Sequence, residues 1–364
     1  MRRKLVVVAM SGGVDSSVAA GLLQKKGYDV IGVTMNLFSL PRELCRSETL
    51  RSCCGQRAVE DAHEVAIRLG IEHLVVDLRR EFRGSVIADF CEEYSHGRTP
   101  NPCIRCNEWV KFGLLLERAK RLGADYVATG HHARIVFSRS GKRYLLKKGK
   151  DRAKDQSYFL YPLGQEQLSR ALMPVGDLNK RDVREMARAW GLHVAEKRES
   201  QEICFVPVGR YPAFLKKQVP QVFSPGQIRN ADGRVLGEHQ GVINFTIGQR
   251  RGINLAAEQP LYVVSINREN NTIIVGSRNA LYRKRLLAGR VNLISLENLE
   301  RPIDVTAKIR HKHEAARARV FPLPRGQVLV EFEKAQRAVT PGQSVVFYRR
   351  DVVVGGGIIE SSLE

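Results

Sequence analysis

Two places in the chain combine residue types and spacings that could do chemistry. The first is Ser11-Gly-Gly-Val-Asp-Ser-Ser17. Its two glycines let backbone amides close on an anion, and a helix beginning there would add its dipole. Ser11, Ser16 and Ser17 offer hydroxyl donors, and Asp15 is a candidate for holding Mg²⁺ or capping the helix. The segment is neither a Walker A loop, which needs Gly-Lys-Ser/Thr, nor the G-x-G-x-x-G dinucleotide pattern. The second place is Asn101-Pro-Cys-Ile-Arg-Cys-Asn107, with Cys204 far downstream. Cys106 is expected at the start of a helix beside Arg105 and Lys111, an environment that favours thiolate. Two thiols brought together would run persulfide chemistry, one carrying the sulfane sulfur and the other attacking to free it. A second reading makes Cys103, Cys106 and Cys204 ligands of an iron–sulfur cluster with one iron left open for sulfide. Structural zinc ranks third because Cys103 and Cys106 lack a second ligand pair. His311-x-His313, read as strand surface, is a poor substitute. Cys45, Cys53 and Cys54 read as loop or packing residues and Cys91 as core.

These residues need a scaffold. Residues 5–10 form a short apolar run ended by a glycine turn, the pattern of a buried parallel strand, with a helix over 18–23. The alternation continues with a strand at 30–35, a helix at 56–69, a strand at 73–77, helices at 84–94 and 107–122, and a strand at 126–129. A hairpin follows over 134–148, then a helical stretch at 166–172. Asn179-x-x-Asp182 is a cap-like start to a helix that ends at Trp190-Gly191. This order predicts an open parallel α/β sheet with ligand sites beyond the strands' carboxyl ends. Met35, ending the second strand, and Gly130, following the fourth, would border a nucleotide there. After Cys204 glycine and proline become frequent and short alternating strands take over, so two small β-rich modules are expected. The boundaries read as 1–207, 208–284 and 285–364.

Composition narrows the function classes. The chain has 364 residues, enough for two or three domains, and its 43% apolar content excludes a disordered polymer. No apolar run approaches the roughly 18–20 residues of a membrane span. The run behind Met-Arg-Arg-Lys is too short for a secretory signal, so a cytoplasmic protein is expected, with its seven cysteines serving thiol or metal chemistry before structural disulfides. The formal charge of +21 is spread along the sequence and points first to nucleic acid as partner.

Taken together, Ser11–Ser17, Thr99-Pro-Asn-Pro-x-x-x-Cys106-Asn, Ala128-Thr-Gly-His131, Lys154-Asp-Gln-Ser-Tyr158, Cys204 and Thr246-Ile-Gly-Gln-Arg-Arg-Gly252 resemble the bacterial tRNA-specific 2-thiouridylases, members of the PP-loop ATP pyrophosphatases, over nearly the whole length. The resemblance implies a PP-loop catalytic domain, a central β module and a C-terminal β-barrel. It implies ATP with Mg²⁺, a tRNA carrying a wobble uridine (Lys, Glu and Gln tRNAs), and a sulfur donor, either a carrier-protein persulfide or sulfide. ATP would adenylate uracil O2 with release of pyrophosphate, and sulfur would then displace AMP. By the same resemblance Cys204 carries the persulfide and Cys106 is the nucleophile. Ala9, Met10, Ser11, Gly12, Gly13, Val14, Asp15, Ser16, Met35 and Gly130 would bind ATP. Asn101, Pro102 and Cys103 would meet the target base, and His131, Lys154, Asp155, Gln156, Arg310, His311 and Gln343 would contact tRNA. Position 103 departs from the family pattern, in which well-known members carry Asp and this chain carries Cys. The change removes a carboxylate and adds a third soft ligand, which favours the cluster. Whether a Cys106–Cys204 disulfide is mechanistic stays open. The alternatives are a PP-loop thiolase of another tRNA base using an iron–sulfur cluster, an amide-forming PP-loop ligase, and a non-catalytic basic RNA-binding protein.

Overall fold

The computed structural model describes residues 3–39, 55–198, 203–206, 211–219 and 224–363. Cys45, Cys53, Cys54 and the 207/208 boundary lie outside them. The described chain groups into two compact units, one of residues 1–87, 102–209 and 351–353, the other of 88–101, 210–350 and 354–364.

The first unit is built on a five-stranded parallel sheet. Its strands are β1 (Leu5–Ala9), β2 (Asp29–Asn36), β3 (Glu72–Asp77), β4 (Tyr126–Ala128) and β7 (Ala171–Leu172), in the order β3-β2-β1-β4-β7. Val6, Val7 and Val8 of β1 are fully buried, as a central strand covered on both faces must be. Helix α1 (Val14–Lys25) follows β1, and α2 (Gln56–Leu69) leads into β3. α1 starts four residues before the sequence pattern suggests, so Val14–Ser17 are its first turn. A short helix α3 (Arg79–Phe82) widens into a π-helical turn, Arg83–Ile87. The predicted 107–122 helix begins earlier, as α4 (Pro102–Arg105), passes through a π-helix over Cys106–Leu114, and closes as α5 (Leu115–Arg121). The hairpin β5 (Ala133–Ser138) and β6 (Arg143–Lys148) follows β4. The stretch read as helix over 166–172 divides into helix Gln165–Ser169 and strand β7. Helix α6 (Lys180–Ala189) starts as expected, with Asn179 and Asp182 forming a capping box.

The strand order reverses at β1/β4: β2 and β3 lie to one side, β4 and β7 to the other. Loops leaving the carboxyl ends of β1 and β4 therefore diverge and leave a crevice.

The second unit begins with helix Ala88–Ser95. Its Phe90 and Tyr94 pack on Phe214 and Tyr211 of helix Tyr211–Gln218. A mixed sheet follows in the order β10 (Tyr262–Asn267), β11 (Thr272–Gly276), β8 (Gly226–Arg229), β9 (Val235–His239). Its core includes Ile228, Phe245, Val263 and Ile273. Six strands then form a barrel: β12 (Tyr282–Leu293), β13 (Ile303–Lys308), β14 (Ala316–Pro322), β15 (Val328–Arg337), β16 (Ser344–Arg349) and β17 (Val352–Leu363). They run β12-β15-β14-β13-β16-β17, and β12 pairs back onto β17 to close the ring around Leu286, Val320, Val330, Phe332 and Phe347. Closure leaves the barrel without edge strands. Among the described residues no helix is long and apolar enough to cross a membrane.

Candidate active site

The phosphate-type loop crosses from β1 to α1. Gly12 has φ +64°, and a Cβ there would lie 2.5 Å from the carbonyl oxygen of Ala58 in α2, so both conformation and space demand glycine. Gly13 is the N-cap of α1, and the Ser17 amide is the first to bond back, to the Gly13 carbonyl at 3.2 Å. The amides of Val14, Asp15 and Ser16 are thus those a helix leaves without intrahelical partners, which suits an anion. The serines divide their work. Ser16 and Ser17 donate to the Gly13 carbonyl at 3.0 and 2.9 Å, knitting the turn, while Ser11 is exposed, its hydroxyl 3.4 Å from that of Ser16. Ala9, Met10 and Val14 are buried beneath the loop. Met35 is 7% exposed at the carboxyl end of β2. Gly130 lies against the loop itself, since a Cβ there would meet the Ser16 nitrogen and the Asp15 carbonyl carbon at 2.5 Å.

Asp15 is neither cap nor available cation ligand. Lys180 Nζ donates to both its carboxylate oxygens, at 2.7 and 2.6 Å, and His132 Nε2 lies 3.1 Å from Oδ1. Burial alone would lift the Asp15 carboxyl, but the His132 hydrogen bond and the Lys180 charge outweigh it and hold it below the ordinary carboxylate range. An ammonium therefore occupies the place expected for Mg²⁺, and the residues do not fit the ion as folded. Lys197 adds a second cation at the loop: Nζ donates to the Gly12 carbonyl at 2.8 Å and to Asp61 of α2. Sequence reading missed Lys180, His132 and Lys197, all distant from the loop in sequence. The one usable signal was the cap at Asn179, which fixes where α6 and hence Lys180 begin.

Cys106 is buried in the second turn of the helical stretch that starts at Pro102, while Cys103, in its first turn, is exposed. The helix-terminal position expected for Cys106 therefore belongs to Cys103, because Pro102 opens the helix earlier. The neighbouring cations are also engaged. Arg105 pairs with Glu108 at 2.9 Å and stacks on Trp109, and Lys111 donates to Asn107 at 2.9 Å. Cys204 sits in a turn where the Val206 amide bonds the Ile203 carbonyl. Phe205 beside it packs edge-on against Phe82 at 5.6 Å, and Phe82 lies against Phe38 beyond β2. The α4 helix and the π-helix bearing Cys106 pack on the π-turn that continues from Phe82. Both thiol-bearing segments thus lean on the helical stretch Arg79–Ile87, at the carboxyl side of the sheet.

This geometry supplies no assembled ligand set for the cluster reading. Among the described residues no three His, Cys, Asp or Glu side chains gather as a metal site, Cys103, Cys106 and Cys204 included.

His131 is buried beside the Cys106 helix. Its Nδ1 is 2.8 Å from Thr129 Oγ1, and its ring lies 6.3 Å from that of Phe112. Burial first, then Lys111 and His132, push its pKa well below 6.5, against a smaller opposing pull from Asp15. His131 thus feels both the Cys106 helix and the phosphate loop. Asp155 is buried, accepting from the amides of Gly149 and Ser157 and from the Ser157 hydroxyl, so it knits its own loop. Gln156 accepts from the His132 amide at 2.9 Å, and Lys154 is half-buried. In the second unit Arg310 donates to the Arg337 carbonyl at 2.6 Å. Gln343 donates to the Thr99 carbonyl at 2.8 Å, bracing the segment that leads to Asn101. His311 and His313 lie in the turn between β13 and β14, not on a strand.

Comparison with known proteins adds family to geometry. The model of the tRNA methyl transferase HUP domain matches residues 4–208, that of the tRNA methyl transferase PRC-barrel domain 212–277, and that of the aminomethyltransferase beta-barrel domain 283–359. The chain is 52% identical over 358 residues to tRNA-specific 2-thiouridylase MnmA 1 of Caldanaerobacter subterraneus subsp. tengcongensis, covering 98% of each. It is 48% identical to the MnmA of Halothermothrix orenii, covering 98% of this chain and 99% of that one. The chain belongs to the tRNA-specific 2-thiouridylase family. Among solved structures it is similar at 18% identity to a 4-thiouridine synthetase–RNA complex with bound ATP, with a TM-score of 0.33 over 60% of this chain and 50% of that one. A predicted tRNA methyltransferase subunit from Methanocaldococcus jannaschii gives 20% identity and a TM-score of 0.33, over 60% and 87%. For a member of the thiouridylase family, the parallel sheet, the glycine loop at its switch point and the C-terminal barrel are the expected parts.

Proposed function

We propose that this protein replaces O2 of a tRNA wobble uridine with sulfur at the expense of ATP. The observation that carries the reading is the convergence of two thiol-bearing segments on one helical stretch, which follows β3 at the carboxyl side of the same sheet that bears the phosphate-type loop. The family models speak of methyl transfer and the curated relatives of thiolation; the paired thiols side with the relatives.

The chemistry is coherent with the parts present. An amide-like oxygen leaves poorly, so ATP first adenylates O2, with Ser11, Gly12, Gly13 and the first amides of α1 receiving the phosphates and Met35 beside the adenine. Pyrophosphate departs. The terminal sulfur of a Cys204 persulfide attacks C2, and AMP leaves with the old oxygen. The Cys106 thiolate then attacks the Cys204 sulfur, the bond to the transferred sulfur breaks, and a Cys106–Cys204 disulfide forms. An external thiol reductant must return two electrons for each turnover, and a persulfide donor must reload Cys204. The base has to leave its stack to reach these atoms, and Asn101, Pro102 and Cys103 are the residues we assign to receive it. In the first unit His131 and Lys154 are assigned to the RNA, with Asp155 and Gln156 shaping the loop that bears Lys154; in the second unit Arg310 and His311 are assigned to the RNA, with Gln343 bracing Thr99.

The test is single-turnover assay of a wobble-uridine tRNA, reading pyrophosphate and thiolated nucleoside separately. Cys106→Ala and Cys204→Ala are expected to release pyrophosphate yet form no thiouridine, and Ser11→Ala to lose pyrophosphate release at least tenfold while still binding tRNA. Full thiolation by either cysteine variant would refute the reading, as would unchanged pyrophosphate release in Ser11→Ala.

A further inference from the structure

Asp15 is joined to the loop 149–157 by two separate bridges. The first runs through Lys180: its ammonium holds both oxygens of Asp15, and its backbone amide donates to Asp151 Oδ2 at 3.0 Å. The second runs through His132: its ring meets Asp15, and its backbone is held twice by Gln156, amide to Oε1 at 2.9 Å and carbonyl from the Gln156 amide at 3.0 Å. Lys180 is 8% exposed and His132 2%, so the middle of each bridge is shielded from water. The loop between the two anchor points is itself braced, since Asp155 ties Gly149 to Ser157, and Asp151 accepts from the Ala153 amide. A braced loop moves as a piece. Whatever displaces it shifts Lys180 and His132 together, and with them the one carboxylate in the first turn of α1.

We infer that Lys180 and His132 are positioning residues that couple RNA engagement at the 149–157 loop to the nucleotide loop, so that tRNA and ATP each tighten the binding of the other. The inference rests on the proposed reading of both loops. Physically, a negatively charged backbone drawn to Lys154 sets the loop, the loop sets Lys180, and Lys180 sets how much of the Asp15 charge an incoming triphosphate meets. Binding linkage is reciprocal, so the same factor must appear from either direction.

The experiment measures the affinity of the full-length protein for α,β-methylene-ATP with and without a wobble-uridine tRNA, and for the tRNA with and without the nucleotide. The native protein is expected to show mutual tightening of about tenfold. Lys180→Met and Asp151→Ala each break the first bridge and leave the second, and are each expected to lower the factor at least twofold. Asp151→Ala spares the Lys180–Asp15 ion pair and decides the matter if Lys180→Met fails to fold, with thermal melting as the control. A residue with only a structural role would weaken binding without changing the ratio. Nucleotide binding with a native factor of one, or a factor undiminished in the folded variants, would overturn the coupling alone. Failure of the native protein to bind the nucleotide under either condition would overturn the reading of the loop and the coupling with it.

Discussion

Gly130 shows how much one missing side chain decides. It stands after β4, where sequence suggested room for a nucleotide; the structure gives a closer reason, contact with the backbone of Asp15 and Ser16. Gly130→Ala is expected to cost about 1–3 kcal/mol through overpacking and to lower pyrophosphate release by displacing the first amides of α1. Urea denaturation with the pyrophosphate assay checks both, and an unchanged variant would remove the loop-packing role. The phosphate loop was legible in sequence because its chemistry is local: glycine, hydroxyl and strand–helix junction all fall within seven residues. Lys180 was not legible because its partner lies 165 residues away, and a lysine behind a capping signal reads as solvated.

At the scale of elements, the capping box sets more than helix stability. The Asn179 amide donates to Asp182, and the next residue is Lys180. Asn179→Ala should cost about 1 kcal/mol, measured by urea denaturation, whereas a change below about 0.3 kcal/mol would show the cap to be redundant. Long periodic helices and the apolar β1 were read correctly in kind, and α2 in its bounds, because periodicity survives without tertiary context. Strand β7 was absorbed into a helix because two residues carry no alternation. The π-helix at Cys106 was invisible because an i→i+5 turn follows from packing rather than propensity. Cys103, not Cys106, takes the helix-terminal place because Pro102 opens the helix one turn earlier.

The whole molecule carries several histidines whose burial opposes protonation: His73, His131, His239 and His313 all have pKa values below 6.5. The unfolded chain takes up those protons as pH falls through about 6.5, and the folded chain resists. Stability is therefore greatest above that pH and declines below it, with buried His131 contributing up to about 1.4 kcal/mol per pH unit. Denaturation at pH 7.5 and 5.5 should show the loss, and His131→Gln should make it smaller; equal slopes would contradict the assignment.

The division into units has a consequence for dissecting the protein. The polypeptide leaves the nucleotide-type unit at residue 87, returns at 102 and leaves again at 209. A fragment ending near 207 would keep helix Ala88–Ser95 but forfeit Tyr211 and Phe214, stripping the aromatic cover from Phe90 and Tyr94. Such a truncation exposes a greasy, self-associating face, so the catalytic half is not a portable cassette.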